Sequence, residues 1–144
     1  MKFLTITQPW CWAILHGGKD VENRKWHTNY RGKLAIHAGK GGMTRELYHV
    51  VASYLEYDGF VLPPMRQIEL GGIVGVVDLV DCVSEHTSPW YNGGFGFVLA
   101  NPIALPFFPL RGMLGLRDVP EEWMAMAAPI IAEHERTAGM EMAV

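Results

Sequence analysis

Alternating apolar and polar positions, together with β-branched runs, predict a set of short strands. They are Lys2–Thr7, Gly32–Ala38, Gly72–Val83, Phe95–Ala100 and Met113–Leu116. Gly72–Val83 is the longest and most apolar of them, so we expect it at the centre of a sheet. Phe95–Ala100 should end at Asn101-Pro102. Two prolines in Leu105–Leu110 favour an irregular connection or a sheet edge there.

Three helices are predicted beside these strands. Pro9–His16 has proline in its first turn and stops at Gly17-Gly18. Thr44 should cap a second helix that reaches about Leu55 and carries a stripe of Leu47, Val50, Val51 and Tyr54. The acidic-cap pattern that begins at Asp118 predicts a last helix over about 119–136. Pro129 should kink or end that helix, and the residues beyond Arg136 should fray.

Several short strands with two or three peripheral helices indicate an α+β fold, a small mixed β-barrel rather than a doubly wound sheet. A length of 144 residues suits a single domain over 1–144, with a core at about 3–117. The composition, 49% hydrophobic and 19% charged, is that of a globular protein. No apolar run approaches the ~20 residues of a membrane span, and polar residues appear too early for a signal peptide. These features predict a cytoplasmic protein without a membrane partner.

The net charge of −3 is unevenly distributed. Residues 1–45 hold eight of the twelve Lys and Arg residues but only two acidic residues. That third of the chain therefore carries +6, and the remainder carries −9. Such asymmetry favours an anion-binding surface on an otherwise acidic protein.

Lys19, Glu22 and Arg24 form the sharpest candidate site. A lysine and an arginine can hold a phosphate, the arginine with two parallel hydrogen bonds. Glu22 can position Lys19 or serve as a general base. A purely structural ion pair is the alternative.

Aromatic residues accompany these charges. Trp10, Trp26 and Trp90 are candidates for stacking on the bases of single-stranded RNA, whereas Trp12 is expected in the core. Trp90 lies between Ser88-Pro89 and Gly93-Gly94, in a loop that is either flexible enough to close over a base or an ordinary turn.

His37 follows a strand and precedes Gly39-Lys40-Gly41-Gly42, so it is a candidate acid or base, with a core histidine as the alternative. Lys40 and Arg31 are candidate phosphate contacts. The two cysteines lack CxxC spacing and the histidines lack tight ligand spacing, so we predict neither a disulfide nor a zinc site. No cofactor is required, although a magnesium or manganese ion at Glu22 stays open.

The chain resembles ASCH domains, which belong to the PUA-like superfamily. The opening Leu4–Ile14 with its Gln-Pro-Trp helix, the G-x-K-x-x-E-x-R motif at Gly18–Arg24 and later segments match in order over about Phe3–Leu116. This resemblance implies a PUA-like β-barrel with a cleft lined by the motif and with RNA as ligand. It also implies that some members are ribonucleases, or amidohydrolases acting on an acetylated cytidine. In the amidohydrolases a threonine stands where this chain has Glu22.

Three functions stay open from the sequence. The first is an RNA- or nucleotide-binding domain that cleaves single-stranded RNA, with Lys19, Glu22 and His37 as catalytic residues. The second is an amidohydrolase for a modified nucleoside such as N4-acetylcytidine, in which Lys19 and Glu22 activate water. The third is a non-catalytic reader of RNA.

Overall fold

The computed structural model describes residues 1–143. Its elements in chain order are β1 (Lys2–Ile6), α1 (Trp10–His16), β2 (Val21–Arg24), β3 (Gly32–Ala38), α2 (Arg45–Tyr57), a 3-10 turn (Met65–Gln67), β4 (Gly72–Val83), β5 (Phe95–Pro109), β6 (Leu116–Asp118) and α3 (Glu121–Ala143). No helix in this range is long and apolar enough to cross a membrane.

The six strands form one curled sheet in the order β2-β5-β4-β3-β1-β6. Only the β1–β3 pair is parallel, and the other neighbours are antiparallel. The result is an α+β half-barrel consistent with a PUA-like barrel, which confirms the predicted fold class. Arg24 reaches across the open side, because its Nη2 on β2 donates to Thr5 O on β1 at 2.9 Å.

Both faces of the sheet are buried. Leu34 and Ile36 face the inside of the half-barrel as their alternation predicts, and α1 closes this core with Cys11 and Ile14. The outer face is covered by α3. Its buried residues Trp123, Ala127 and Ile131 belong to the same cluster as Phe3, Ala35, Ile73 and Val76.

Strand β5 is longer than predicted, and the predicted end at Asn101-Pro102 is wrong. Asn101 adopts a left-handed φ of 52° and its Nδ2 donates to Asp78 Oδ2 at 2.9 Å, opposite a register shift in β4. Beyond this point β5 pairs only with β4, since β2 covers Phe95–Val98 alone. Pro102 and Pro106 lie at register shifts against β4, and Pro109 stands at the end of β5, positions where a missing N–H disturbs the ladder least.

The predictions for the C-terminal third also needed correction. The last strand is Leu116–Asp118, and α3 runs through Pro129 to Ala143 instead of stopping near Arg136. Asp118 does not begin a helix, because it lies in β6 and pairs with Lys2 at 2.7 Å. In α2 the Thr44 cap is confirmed by its bond from Leu47 N at 3.1 Å. Tyr54 of the predicted apolar stripe is 59% exposed.

Candidate functional site

The turn after α1 brings the residues of the G-x-K-x-x-E-x-R motif to one place. Gly18 takes a left-handed φ of 75°, and Lys19 N donates to Ala13 O at 3.0 Å. The chain therefore folds back before β2 begins at Val21. This turn places Lys19 and Glu22 on the same side, which simple alternation along an extended segment does not.

Glu22 lies between two cations. Its Oε1 is 3.5 Å from Lys19 Nζ, and its Oε2 accepts from Arg24 Nε at 3.0 Å. Lys19 Nζ also donates to Val21 O. The side chains of Lys19, Glu22 and Arg24 are 3%, 11% and 23% exposed. Burial lowers the pKa of Lys19 from its usual value, and the neighbouring Glu22 opposes this shift.

Two tryptophan rings lie beside the Lys19 ammonium. Its Nζ lies 5.4 Å from the ring centroid of Trp10 and 5.8 Å from that of Trp90, within cation–π range. The two rings meet edge to face, with centroids 6.3 Å apart. They open onto a cavity of about 770 Å³, here called the aromatic cavity. Its lining residues are Trp10, Lys19, Glu22, Asn23, Ser53, Tyr54, Tyr57, Asp58, Pro89, Trp90 and Asn92.

Asn23 holds the segment that carries Trp90. Its Nδ2 donates to Trp90 O at 2.9 Å, and its Oδ1 accepts from Asn92 N at 3.0 Å. Ser88 is tied to Asp20 by a further hydrogen bond. The loop predicted from its glycines is therefore fastened to β2 and to the turn before it.

A second cavity of about 800 Å³ adjoins the first and is here called the adjacent cavity. The two share Trp10, Glu22, Asn23 and Asn92. The other lining residues of the adjacent cavity are Thr5, Ile6, Thr7, Arg24, Lys25, Trp26, Gly42, Leu47, Gly93 and Gly94. Trp26 is partly buried, with its ring against Phe97 at a centroid distance of 5.2 Å.

The structure brings six of the predicted site residues to this cleft: Trp10, Lys19, Glu22, Arg24, Trp26 and Trp90. His37, Arg31 and Lys40 line neither cavity. His37 is fully buried, with Nε2 2.5 Å from Leu110 O. Arg31 donates to Thr28 O and pairs with Asp81 at 3.5 Å. The geometry supports no role for these three residues at the cleft.

Asn23, Asn92, Tyr54 and Tyr57 are cleft residues that the sequence reasoning missed. Asn23 lies inside the motif, between Glu22 and Arg24, and this position was the feature of the sequence that could have identified it as a cleft residue. Tyr54 and Tyr57 are one helical turn apart on α2. The sequence pattern does not indicate that both are exposed, and only the structure shows it.

The buried Cys11 thiol has a pKa raised mainly by burial, which disfavours a reactive thiolate. Within residues 1–143, no three His, Cys, Asp or Glu residues cluster closely enough to hold a metal ion. The sequence prediction of no zinc site stays a prediction.

Comparison with known proteins shows which family the chain belongs to. The ASCH domain model matches residues 4–107, a range that contains α1, the motif, β2 and the Trp90 segment. The chain belongs to the ASCH domain family. ASCH domains are generally RNA-binding, and in this one the whole cleft lies inside the family match, whereas β6 and α3 lie outside it.

Two relatives carry the same name, activating signal cointegrator 1. The Mus musculus protein is 32% identical over 119 residues, and the Homo sapiens protein is 31% identical over 119 residues. Each comparison covers 76% of this chain and 20% of the relative. This ASCH chain therefore spans about a fifth of the length of these relatives.

Proposed function

We propose that this ASCH domain binds single-stranded RNA by taking one unstacked base into the aromatic cavity. The observation that carries the proposal is the pair of partly exposed rings, Trp10 and Trp90, that line the aromatic cavity beside the buried Lys19 ammonium. A volume of about 770 Å³ is in the range of small-molecule pockets. RNA binding as the general property of the family supports the same ligand class.

Single-stranded RNA fits this site better than a duplex. A stacked base does not present its faces, whereas an unpaired base can be laid against an indole ring. Glu22, Asn23 and Asp58 also line this cavity, and polar groups of this kind can pair with a base edge. The tryptophans supply affinity and the polar groups supply orientation.

RNA cleavage has weaker support than binding. A 2′-hydroxyl attack on phosphorus needs a base and an acid near the reacting atoms. Glu22 is held by both Lys19 and Arg24, and the other predicted acid or base, His37, is buried away from the cleft. The proposed function is therefore binding without cleavage.

Amide hydrolysis of a modified nucleoside is the second candidate, and one observation favours it. Burial lowers the pKa of Lys19 beside Glu22 in the aromatic cavity, and a shift of this kind suits proton transfer from water. If this reaction occurs, N4-acetylcytidine is deacetylated by the native chain and not by Lys19→Met.

The test of RNA binding compares two tryptophan variants by fluorescence anisotropy with a labelled single-stranded RNA of mixed sequence. Trp90→Ala should weaken binding by about 5- to 100-fold, because one base–aromatic stack contributes roughly 1–3 kcal/mol. The matched control is Trp12→Ala, since Trp12 is partly buried but lines neither the aromatic nor the adjacent cavity. Equal loss in both variants, or no binding by the native chain, contradicts the proposal.

A further inference from the structure

The aromatic cavity and the adjacent cavity differ in charge. The charged residues lining the aromatic cavity are one cation, Lys19, and two carboxylates, Glu22 and Asp58. Those lining the adjacent cavity are two cations, Arg24 and Lys25, and one carboxylate, Glu22. An anion is therefore favoured in the adjacent cavity and disfavoured in the aromatic cavity.

Lys19 is poorly placed to bind a phosphate. Its side chain is 3% exposed, and its ammonium contacts Glu22 and Val21 O and lies beside two tryptophan rings. A phosphate bound there would also meet the Glu22 carboxylate at close range. The cation that the motif suggests for phosphate is thus committed to the protein itself.

Arg24 retains donors for a ligand. A guanidinium carries five N–H groups. Arg24 spends Nε on Glu22 Oε2 at 3.0 Å and one Nη2 hydrogen on Thr5 O at 2.9 Å. These two bonds fix the plane of the guanidinium and leave three of its N–H groups for a ligand, and Arg24 lines the adjacent cavity. A preorganised fork of this kind suits a phosphate.

Lys25 supplies a second positive charge. It is exposed, lines the adjacent cavity and forms no ion pair with any residue among 1–143. Three glycines, Gly42, Gly93 and Gly94, also line this cavity. A Cβ on Gly94 would lie 2.7 Å from Arg24 O, so a bare backbone is required there.

We infer that the adjacent cavity is a phosphate subsite, in which Arg24 and Lys25 bind the phosphate attached to the nucleoside held in the aromatic cavity. The two cavities share Trp10, Glu22, Asn23 and Asn92, so one ligand can occupy both. This inference rests on the proposed function and narrows it. The ligand is a phosphate-bearing nucleotide or RNA segment, and a free nucleoside fills only half of the cleft.

Isothermal titration calorimetry with small ligands tests this subsite. The probes are the four ribonucleosides, their 5′- and 3′-monophosphates, and inorganic phosphate. At low salt, a monophosphate of at least one series should bind roughly tenfold tighter than its nucleoside, because charge-assisted bonds to Arg24 and Lys25 are added. Equal affinity of nucleoside and both monophosphates overturns the subsite but leaves base binding intact. No binding by any probe overturns both proposals.

Two lysine variants locate the effect. Lys25→Gln should lower the affinity for the monophosphate about threefold, because it removes one exposed charge. It should leave the affinity for the nucleoside unchanged. Lys40→Gln is the matched control, because Lys40 is an exposed lysine of the same basic third that lines neither cavity. If Lys25→Gln binds the monophosphate as the native chain does, or if Lys40→Gln loses as much, the assignment is overturned.

Discussion

Asn23 shows how one side chain can place another. It donates to Trp90 O and accepts from Asn92 N, the pattern a neighbouring strand would offer to this segment. The segment thereby stays against β2, and the Trp90 ring stays 5.8 Å from Lys19 Nζ. Asn23 is a positioning residue, since it acts on a base through Trp90.

Replacing Asn23 should therefore weaken RNA binding without unfolding the domain. Asn23→Ala removes two hydrogen bonds of about 1 kcal/mol each, and the Trp90 segment must then be ordered when RNA binds. We expect a 3- to 30-fold loss of affinity by anisotropy and a red shift of tryptophan emission in the free protein. Asn29→Ala, at an exposed asparagine, is the control. Unchanged affinity in Asn23→Ala would contradict this role.

Glu22 has a larger structural role than Lys19. Lys19→Met leaves Glu22 paired with Arg24, whereas Glu22→Gln leaves two largely buried cations without their carboxylate. Removing one partner of a buried ion pair leaves the other charge uncompensated and costs about 3–5 kcal/mol. In urea unfolding at pH 7, Glu22→Gln should therefore lower the free energy of unfolding more than Lys19→Met does. The reverse order would show that the network is held mainly by Lys19.

At the scale of elements, the local sequence pattern was sufficient to predict the bounds of a strand that has a neighbouring strand on both sides. β3 and β4 have the predicted bounds, because alternation and β-branching are properties of the segment itself. β5 was predicted too short because Asn101 and the prolines are accommodated by register shifts in its pairing with β4. The burial of His37, one of the two alternatives predicted for it, likewise depends on distant residues. Its ring lies 5.7 Å from that of Phe3 on the neighbouring strand and its Nε2 lies 2.5 Å from Leu110 O, and both partners are far away in the sequence.

Helix α3 continues through Pro129 because tertiary contacts hold it. Its buried residues Trp123, Ala127 and Ile131 lie on both sides of the proline. A proline inside a helix costs about 3 kcal/mol relative to alanine. Pro129 is exposed, so Pro129→Ala should raise the free energy of unfolding by about 1–3 kcal/mol in urea titration. Pro64→Ala, outside any α-helix, is the control. A loss of stability in Pro129→Ala would mean that the proline has a packing role.

At the scale of the whole molecule, the basic third of the chain does not become a basic surface. Five of its eight cations form ion pairs: Lys2, Lys19, Arg24, Arg31 and Lys33. Three of them pair with carboxylates from the acidic remainder, as Lys2 does with Asp118, Arg31 with Asp81 and Lys33 with Asp78. Charge along the sequence was therefore a poor guide to charge on the surface, because folding pairs cations of the basic third with carboxylates of the acidic remainder.

The salt dependence of RNA binding measures how many phosphates the surface contacts. With Arg24 and Lys25 as the phosphate contacts, the logarithm of the RNA association constant should fall with the logarithm of salt concentration with a slope of about −1.4. Anisotropy titrations over a series of salt concentrations give this slope. A slope steeper than about −4 would mean that many phosphates are bound along an extended basic surface.

A base bound in the aromatic cavity must contact Trp10 and Trp90, which both line it, and an NMR titration tests this contact. The five tryptophans give five indole N–H signals in a nitrogen-15 correlation spectrum of the full chain. On titration with single-stranded RNA, the signals of Trp10 and Trp90 should shift most and saturate together, while those of Trp12 and the fully buried Trp123 should stay in place. If Trp10 and Trp90 do not move while RNA binds, the base lies elsewhere and the aromatic cavity is not the RNA site.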